Sequence, residues 1–262
     1  MQEFEHLTVE RVDGVGRIVM ERADRHNAMN ARMAGELRDA TADLVEDDGV
    51  RAAVLTGTGA AFNTGADLTA FSGDATDGRD LRTVASRLHA AVRNLATAPM
   101  PTVTGVNGVA AGGGFGLALS ADLVVVDEDA RFEFAYPKLG LSGDGGSTFF
   151  LPRLVGHRRA REIALLDEPI PAEEAVEMGL ATEVVGSDAF DDRLAELAAT
   201  LSEGPTRAHA ATKRLLNRSY SRTLPAQLAA ETDSVSRLAG TEDYARGHAA
   251  FRGDDEPAFE GR

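Results

Sequence analysis

The chain repeats one alternation: short, apolar, β-branched runs that end at glycine or aspartate, separated by longer stretches with apolar residues at helical spacing. RAAVLTG (51–57), PTVTGV (101–106) and LVVVD (123–127) are the short runs. Between the first two lies RTVASRLHAAVRNLA (82–96), where Val84, Leu88, Val92 and Leu95 recur with the period of one helix face until Met100-Pro101 stops it. Strands that are apolar throughout are buried on both faces, and strand–helix–strand order implies crossover connections. The pattern therefore predicts an α/β fold with a mostly parallel sheet covered by helices.

Around this centre, LTVERV, VDGVG and RIVMER read as an opening hairpin, and Asn30 reads as the cap of a helix over 31–46. Residues 72–79 are polar and read as a mobile loop. ARFEF (130–134) alternates, with Phe132 and Phe134 on one face and Glu133 on the other. Beyond residue 147 the pattern becomes almost wholly helical, over 157–166, 171–179, 188–203, 205–219, 224–239 and 241–251, with one strand-like interruption at 180–186. The natural division is a core over residues 1–200 and a helical C-terminal part over 201–262.

Forty-two acidic residues against 27 Lys and Arg give a net charge of -15, which argues against nucleic acid or an anionic membrane as partner. With no cysteine, disulfides, zinc-thiolate sites and thiol catalysis are excluded. No apolar run approaches the ~20 residues of a membrane span, and the N-terminus lacks the basic-then-apolar order of a signal peptide, so a cytoplasmic protein is expected. The six histidines, at 6, 26, 89, 157, 209 and 248, form no pair at metal-ligand spacing on one helix, and no metal site is expected. His89, near the middle of the 82–96 stretch, reads first as a partly buried structural histidine.

Three glycine-rich loops could carry chemistry. GGGFGLAL (112–119) follows a strand and opens a helix, but Leu119 stands where a dinucleotide fingerprint needs its third glycine. Its free N–H groups still suit an oxyanion. AFNTGADL (61–68) offers another N–H near Gly65 and Ala66, and two such donors from separate loops could hold one carbonyl oxygen as it becomes an enolate. LGLSGDGGST (139–148) sets Asp144 alone among Gly140, Gly143, Gly145 and Gly146; by itself it reads as an Asx turn, and Asp144 takes the last glycine of a G-x-S-x-G elbow.

Taken together, ADRHNAMN, AFNTGADL, NGVAAGGGFGLALSADLVV, LGLSGDGGSTFFLPRLVG and EEAVEMGLATEVV resemble the crotonase superfamily, the enoyl-CoA hydratase/isomerase group, over nearly the whole length. The resemblance implies a spiral of ββα units with a helical C-terminal trimerisation region, a homotrimer or dimer of trimers, and an acyl-CoA thioester substrate with no metal or redox cofactor. Coenzyme A would be part of the substrate. It places the oxyanion N–H groups at Ala66 and Gly113, and assigns the CoA moiety to Arg25 and to the backbone of Gly65, Ala66, Asp67 and Leu68.

The resemblance also puts the two glutamates of the hydratases at Gly116 and Tyr136, neither of which is an acid. Asp144 coincides with the single acid of enoyl-CoA isomerases and phenylacetate-pathway ring isomerases. One carboxylate can take a proton from C2 and return it at C4, so the expected activity is an enoyl-CoA isomerase, with Tyr136 lining the pocket or donating a hydrogen bond. Enclosure by Leu139, Leu141 and Phe149 is expected to raise the Asp144 pKa. Asp144 and His89 also match the nucleophile and base of the 4-chlorobenzoyl-CoA dehalogenases, whose tryptophans this chain lacks. A thioesterase-like hydrolase, a hydratase with another acid/base set and a non-catalytic acyl-CoA binder stay open.

Overall fold

The computed structural model describes residues 3–262. β1 (Leu7–Val12) and β2 (Val15–Met20) form the expected hairpin, turning through Asp13 and Gly14 at φ 50° and 78°, the left-handed pair that a type I′ loop requires. α1 (Ala31–Glu46) starts at Asn30, whose side chain accepts the Met33 N–H. Three ββα units follow: β3 (Ala52–Gly57), β4 (Ala61–Asn63) and α2 (Gly78–Thr97); β5 (Thr102–Val106), β6 (Val109–Ala111) and α3 (Gly113–Ala118); β7 (Leu123–Asp127), β8 (Arg131–Glu133) and α4 (Ser147–Leu154). α5 (Gly156–Leu166), β9 (Ile170–Pro171), α6 (Ala172–Glu177) and β10 (Glu183–Val185) complete the sheets; α7 (Phe190–Glu203), α8 (Thr206–Ser219), α9 (Leu224–Leu238) and α10 (Glu242–Gly253) close the chain.

The first strand of each unit enters a six-stranded sheet of order β1-β2-β3-β5-β7-β10, parallel from β2 onward, and the second enters a four-stranded sheet of order β4-β6-β8-β9. This is the ββα spiral that the resemblance implies. Ile18, Met20, Leu55, Phe62, Phe115 and Phe132 are fully buried in the main core. On a second face, Val54, Val103 and Val125 meet Phe190 and Leu194 of α7, which is why these strands are apolar throughout. α8 is fastened to the end of α2 by Lys213, whose Nζ donates to Leu95 O at 2.8 Å and to Asp122 Oδ2 at 2.7 Å.

Several elements depart from expectation. The short β4 lies inside a segment read as a glycine-rich loop and β6 directly before another, and neither was read as a strand, because three residues are too few to show a period. α2 begins at Gly78 rather than 82, since its first turn is polar and carries no apolar repeat; just before it, Asp77 accepts the Ser72 and Gly73 N–H groups, folding part of the stretch read as a mobile loop. α4 holds Pro152 and was not anticipated as a separate helix. Among the described residues, no helix is long and apolar enough to cross a membrane.

Candidate active site

A cavity of about 550 Å³ opens between α2, the loop after β4, the start of α3 and residues 135–144. Two buried asparagines build its first wall. Asn63 Nδ2 donates to Asn27 O at 2.7 Å, and Asn63 Oδ1 accepts the Gly65 N–H at 2.9 Å. Met29 and Ala66 form a parallel bridge in which Met29 N–H donates to Gly65 O and Asp67 N–H to Met29 O. The N–H groups of Met29, Gly65 and Asp67 are thereby engaged, while that of Ala66 has no backbone acceptor among the described residues.

The second wall is the first turn of α3. Gly113 is its first residue, so its N–H has no intrahelical acceptor. The two loops touch: a Cβ at Gly65, which has φ 83°, would lie 3.0 Å from Gly113 N. Both expected oxyanion donors thus belong to one contact and line one cavity.

Asp144 is the one carboxylate lining that cavity among the described residues. Its carbonyl accepts from Ser147 N–H and from the buried Ser147 hydroxyl, at 3.1 and 2.8 Å, which fixes the loop. Gly145 then passes so near α3 that a Cβ at Gly116 would lie 2.1 Å from Gly145 O. A glutamate at position 116, as in the hydratases, has no room beneath this loop: backbone fills its place, and the acid is carried next door on Asp144.

His89 Nε2 stands 2.5 Å from Asp144 Oδ1, with the two side chains 52% and 36% exposed. The reading of His89 as a buried structural residue is therefore corrected: Leu88 takes the core side of α2, and His89 projects to the carboxylate. The apolar enclosure expected for Asp144 is also absent, because Leu139, Leu141 and Phe149 are all about half exposed and an imidazole is the nearest partner.

Tyr136 is 8% exposed and lines the cavity, its hydroxyl without a hydrogen-bond partner among the described residues. Burial, and then the Asp144 carboxylate, push the phenol pKa far up, with the Asp144 N–H acting the other way to a smaller extent; it remains an O–H. Ala135 before it is held at φ 63°, a costly conformation for alanine, by the Asp167 carboxylate accepting its N–H. Asp167 therefore positions Tyr136, and nothing in LLDEPI signals that. Asn27 and Asn63 were missed for the same reason, since a buried asparagine and an exposed one look alike in sequence.

Two of the residues that the resemblance assigns to CoA, Arg25 and Asp67, are not in the lining of this cavity. Arg25 is exposed, faces Asp24 at 3.7 Å and is not part of the cavity wall, whose cations are Arg82 and Lys138. Asp67 does not line the cavity either: its carboxylate takes the Thr69 hydroxyl and N–H and pairs with Arg22 at 2.7 Å. These contacts, Thr69 foremost, hold its pKa below the ordinary carboxylate value. Asp67 orders the loop that carries Ala66, and Gly65, Ala66 and Leu68 remain as lining.

The geometry has parallels in known proteins. The sequence model of the enoyl-CoA hydratase/isomerase family matches residues 10–262. A protein described as a probable enoyl-CoA hydratase of Rhodobacter capsulatus is 40% identical over 99% of both chains. The 1,2-epoxyphenylacetyl-CoA isomerase of Escherichia coli is 38% identical over the full length of both. A 4-chlorobenzoyl coenzyme A dehalogenase of an Arthrobacter species is 36% identical over 94% of this chain and 90% of its own. The crystal structure of an enoyl-CoA hydratase from Bacillus anthracis superposes with a TM-score of 0.93 at 26% identity, covering 98% of this chain and all of that one. With the ββα spiral, the paired loops and these relatives in agreement, the chain belongs to the enoyl-CoA hydratase/isomerase family of the crotonase superfamily.

Proposed function

We propose that the protein is an enoyl-CoA isomerase that moves a double bond from the 3,4 to the 2,3 position of an acyl-CoA thioester. The supporting observation is the count of acids: the cavity holding the Ala66 and Gly113 N–H groups is lined by one carboxylate, and the space of a second is filled by Gly145 O. The thioester oxygen sits between the two N–H groups, Asp144 takes the C2 proton, and the charge moves to the oxygen as an enolate. The double bond shifts as Asp144 returns the proton at C4, so no water is consumed. His89, with Nε2 protonated, donates to the carboxylate and fixes its direction; Tyr136 lines the acyl pocket with its hydroxyl buried. CoA leaves past Gly65, Ala66 and Leu68, with Arg82 and Lys138 as the nearest cations.

The reading asks for no metal and no redox group, and places the enzyme in the cytoplasm. It includes a homotrimer or dimer of trimers, with the exposed Leu216, Leu224, Leu228 and Val235 on α8 and α9 as contact residues. The test is a panel of 3-enoyl-CoA thioesters, with products analysed for mass and double-bond position. Unchanged mass with a conjugated product, abolished in Asp144→Asn, supports it; addition of water refutes it.

A second reading rests on the contact between His89 and Asp144. It is the arrangement of a nucleophile and a base that activates water against the ester formed on it. Chloride release from an aryl-CoA substrate, with an ester trapped on Asp144 in His89→Gln, would select it over isomerisation.

A further inference from the structure

A second cavity, of about 560 Å³, lies on the far side of the His89–Asp144 pair, and the reaction outlined above leaves it unused. Its apolar lining is Val92, Phe149 and Phe150, and its cations are Arg93 of α2 and Arg214 and Arg218 of α8, with no carboxylate in the wall. None of these three arginines pairs with an acid among the described residues, whereas Lys213 beside them is spent on Asp122 and on backbone carbonyls. Unpaired guanidinium groups gathered around an apolar hollow repel one another. In a chain of net charge -15, they mark a place for a specific anion.

The two cavities share one wall. Asp144 lines the first, His89 lines the second, and the two are in hydrogen-bond contact. A thioester with C2 beside Asp144 would reach the second cavity by way of the His89–Asp144 pair. Both side chains are partly exposed rather than locked in the core.

We propose that the second cavity receives the far end of the acyl group, and that this end is a carboxylate: the preferred substrates are CoA half-thioesters of dicarboxylic acids. This rests on the reading of Ala66, Gly113 and Asp144 as the thioester site. Val92 and the two phenylalanines take the hydrocarbon body. The arginines offer the planar donor forks that match a carboxylate, which ammonium groups lack.

The test uses unreactive, saturated thioesters, so that it does not depend on turnover. Calorimetry compares hexanoyl-CoA with adipyl-CoA, and octanoyl-CoA with suberyl-CoA, on the wild type and on Arg93→Gln combined with Arg218→Gln. The carboxylated member of at least one pair is expected to bind more tightly. The double variant is expected to lose about tenfold or more for that thioester, as charge-assisted hydrogen bonds imply, and to keep its affinity for the uncharged partner. Equal binding within both pairs overturns the proposal. So does an equal loss for both members, because the arginines would then serve CoA phosphates or the fold. Discrimination without isomerase turnover sinks the isomerase reading alone, turnover without discrimination sinks this one alone, and a protein that binds none of the four thioesters loses both.

Discussion

Gly116→Ala separates the role of the Asp144 loop from the stability of the fold. The added Cβ would lie 2.1 Å from Gly145 O and 2.6 Å from Gly145 C, where ordinary contact begins near 3.4 Å. The obstacle is backbone, with no flexible side chain to swing aside, so the loop must retreat by about 1 Å. Overpacking of this kind costs ~1–3 kcal/mol, and replacing a helical glycine returns about 1 kcal/mol. Melting should therefore fall by only a few degrees in a domain of this size. Activity should suffer far more, because a misplacement of about 1 Å at a reacting group costs ~10²-fold in rate. The assay is kcat for conversion of a 3-enoyl-CoA, read from the absorbance of the conjugated product, beside thermal denaturation. Gly78→Ala serves as the control, since a Cβ there meets nothing within 4 Å. A Gly116→Ala enzyme with wild-type kcat would show that the loop does not hold the working acid where the reaction needs it. Gly116→Glu, which restores the residue type of the hydratases, should likewise fail to produce hydration.

Ala66→Pro deletes one proposed oxyanion donor and should lower kcat by ~10²- to 10³-fold, with circular dichroism confirming the fold. Asp67→Asn breaks the buried pair with Arg22 and should destabilise by ~3–5 kcal/mol at neutral pH, measured by urea denaturation. Because the native Asp67 pKa is lowered, its contribution is present above the ordinary value of 3.8 and is lost as pH falls through the lowered one; the stability gap between wild type and variant should close in that acid range. A gap that persisted there would assign the loss to something other than the charge. Lys213→Ala should free α8 from the end of α2 and speed proteolysis of the C-terminal helices, at a cost of ~3–5 kcal/mol if the pair with Asp122 is what holds them.

How legible the molecule is from its sequence depends on where the determining information lies. The large sheet was legible because β3, β5 and β7 are buried on both faces and each spells that out in its own residues. The small sheet was not, since its three-residue strands are defined by their neighbours, and only the family resemblance implied a second strand in each unit. α2 was placed from Val84, Leu88, Val92 and Leu95, yet the same period misjudged His89. A residue one step along from a core leucine can turn either way, and the carboxylate that attracts it is 55 residues distant. Arg25 and Asp67 show a different limit: the resemblance matched motif positions, while the side-chain partners found in the structure, Asp24 in one case and Arg22 with Thr69 in the other, were invisible to it.

The glycines of the third loop tie the absence of a side chain at position 116 to the placement of Asp144. At position 116 the backbone of Gly145 lies where a side chain would begin, so this residue must be glycine for as long as the loop is seated. Seating the loop, through the Ser147 hydroxyl and N–H on the Asp144 carbonyl, is what aims Asp144 along the cavity toward His89. The two positions are therefore coupled through space. In this chain one carboxylate lines the cavity and the third loop is packed on α3, and the glycine beneath the loop reports that packing as much as the aspartate on it.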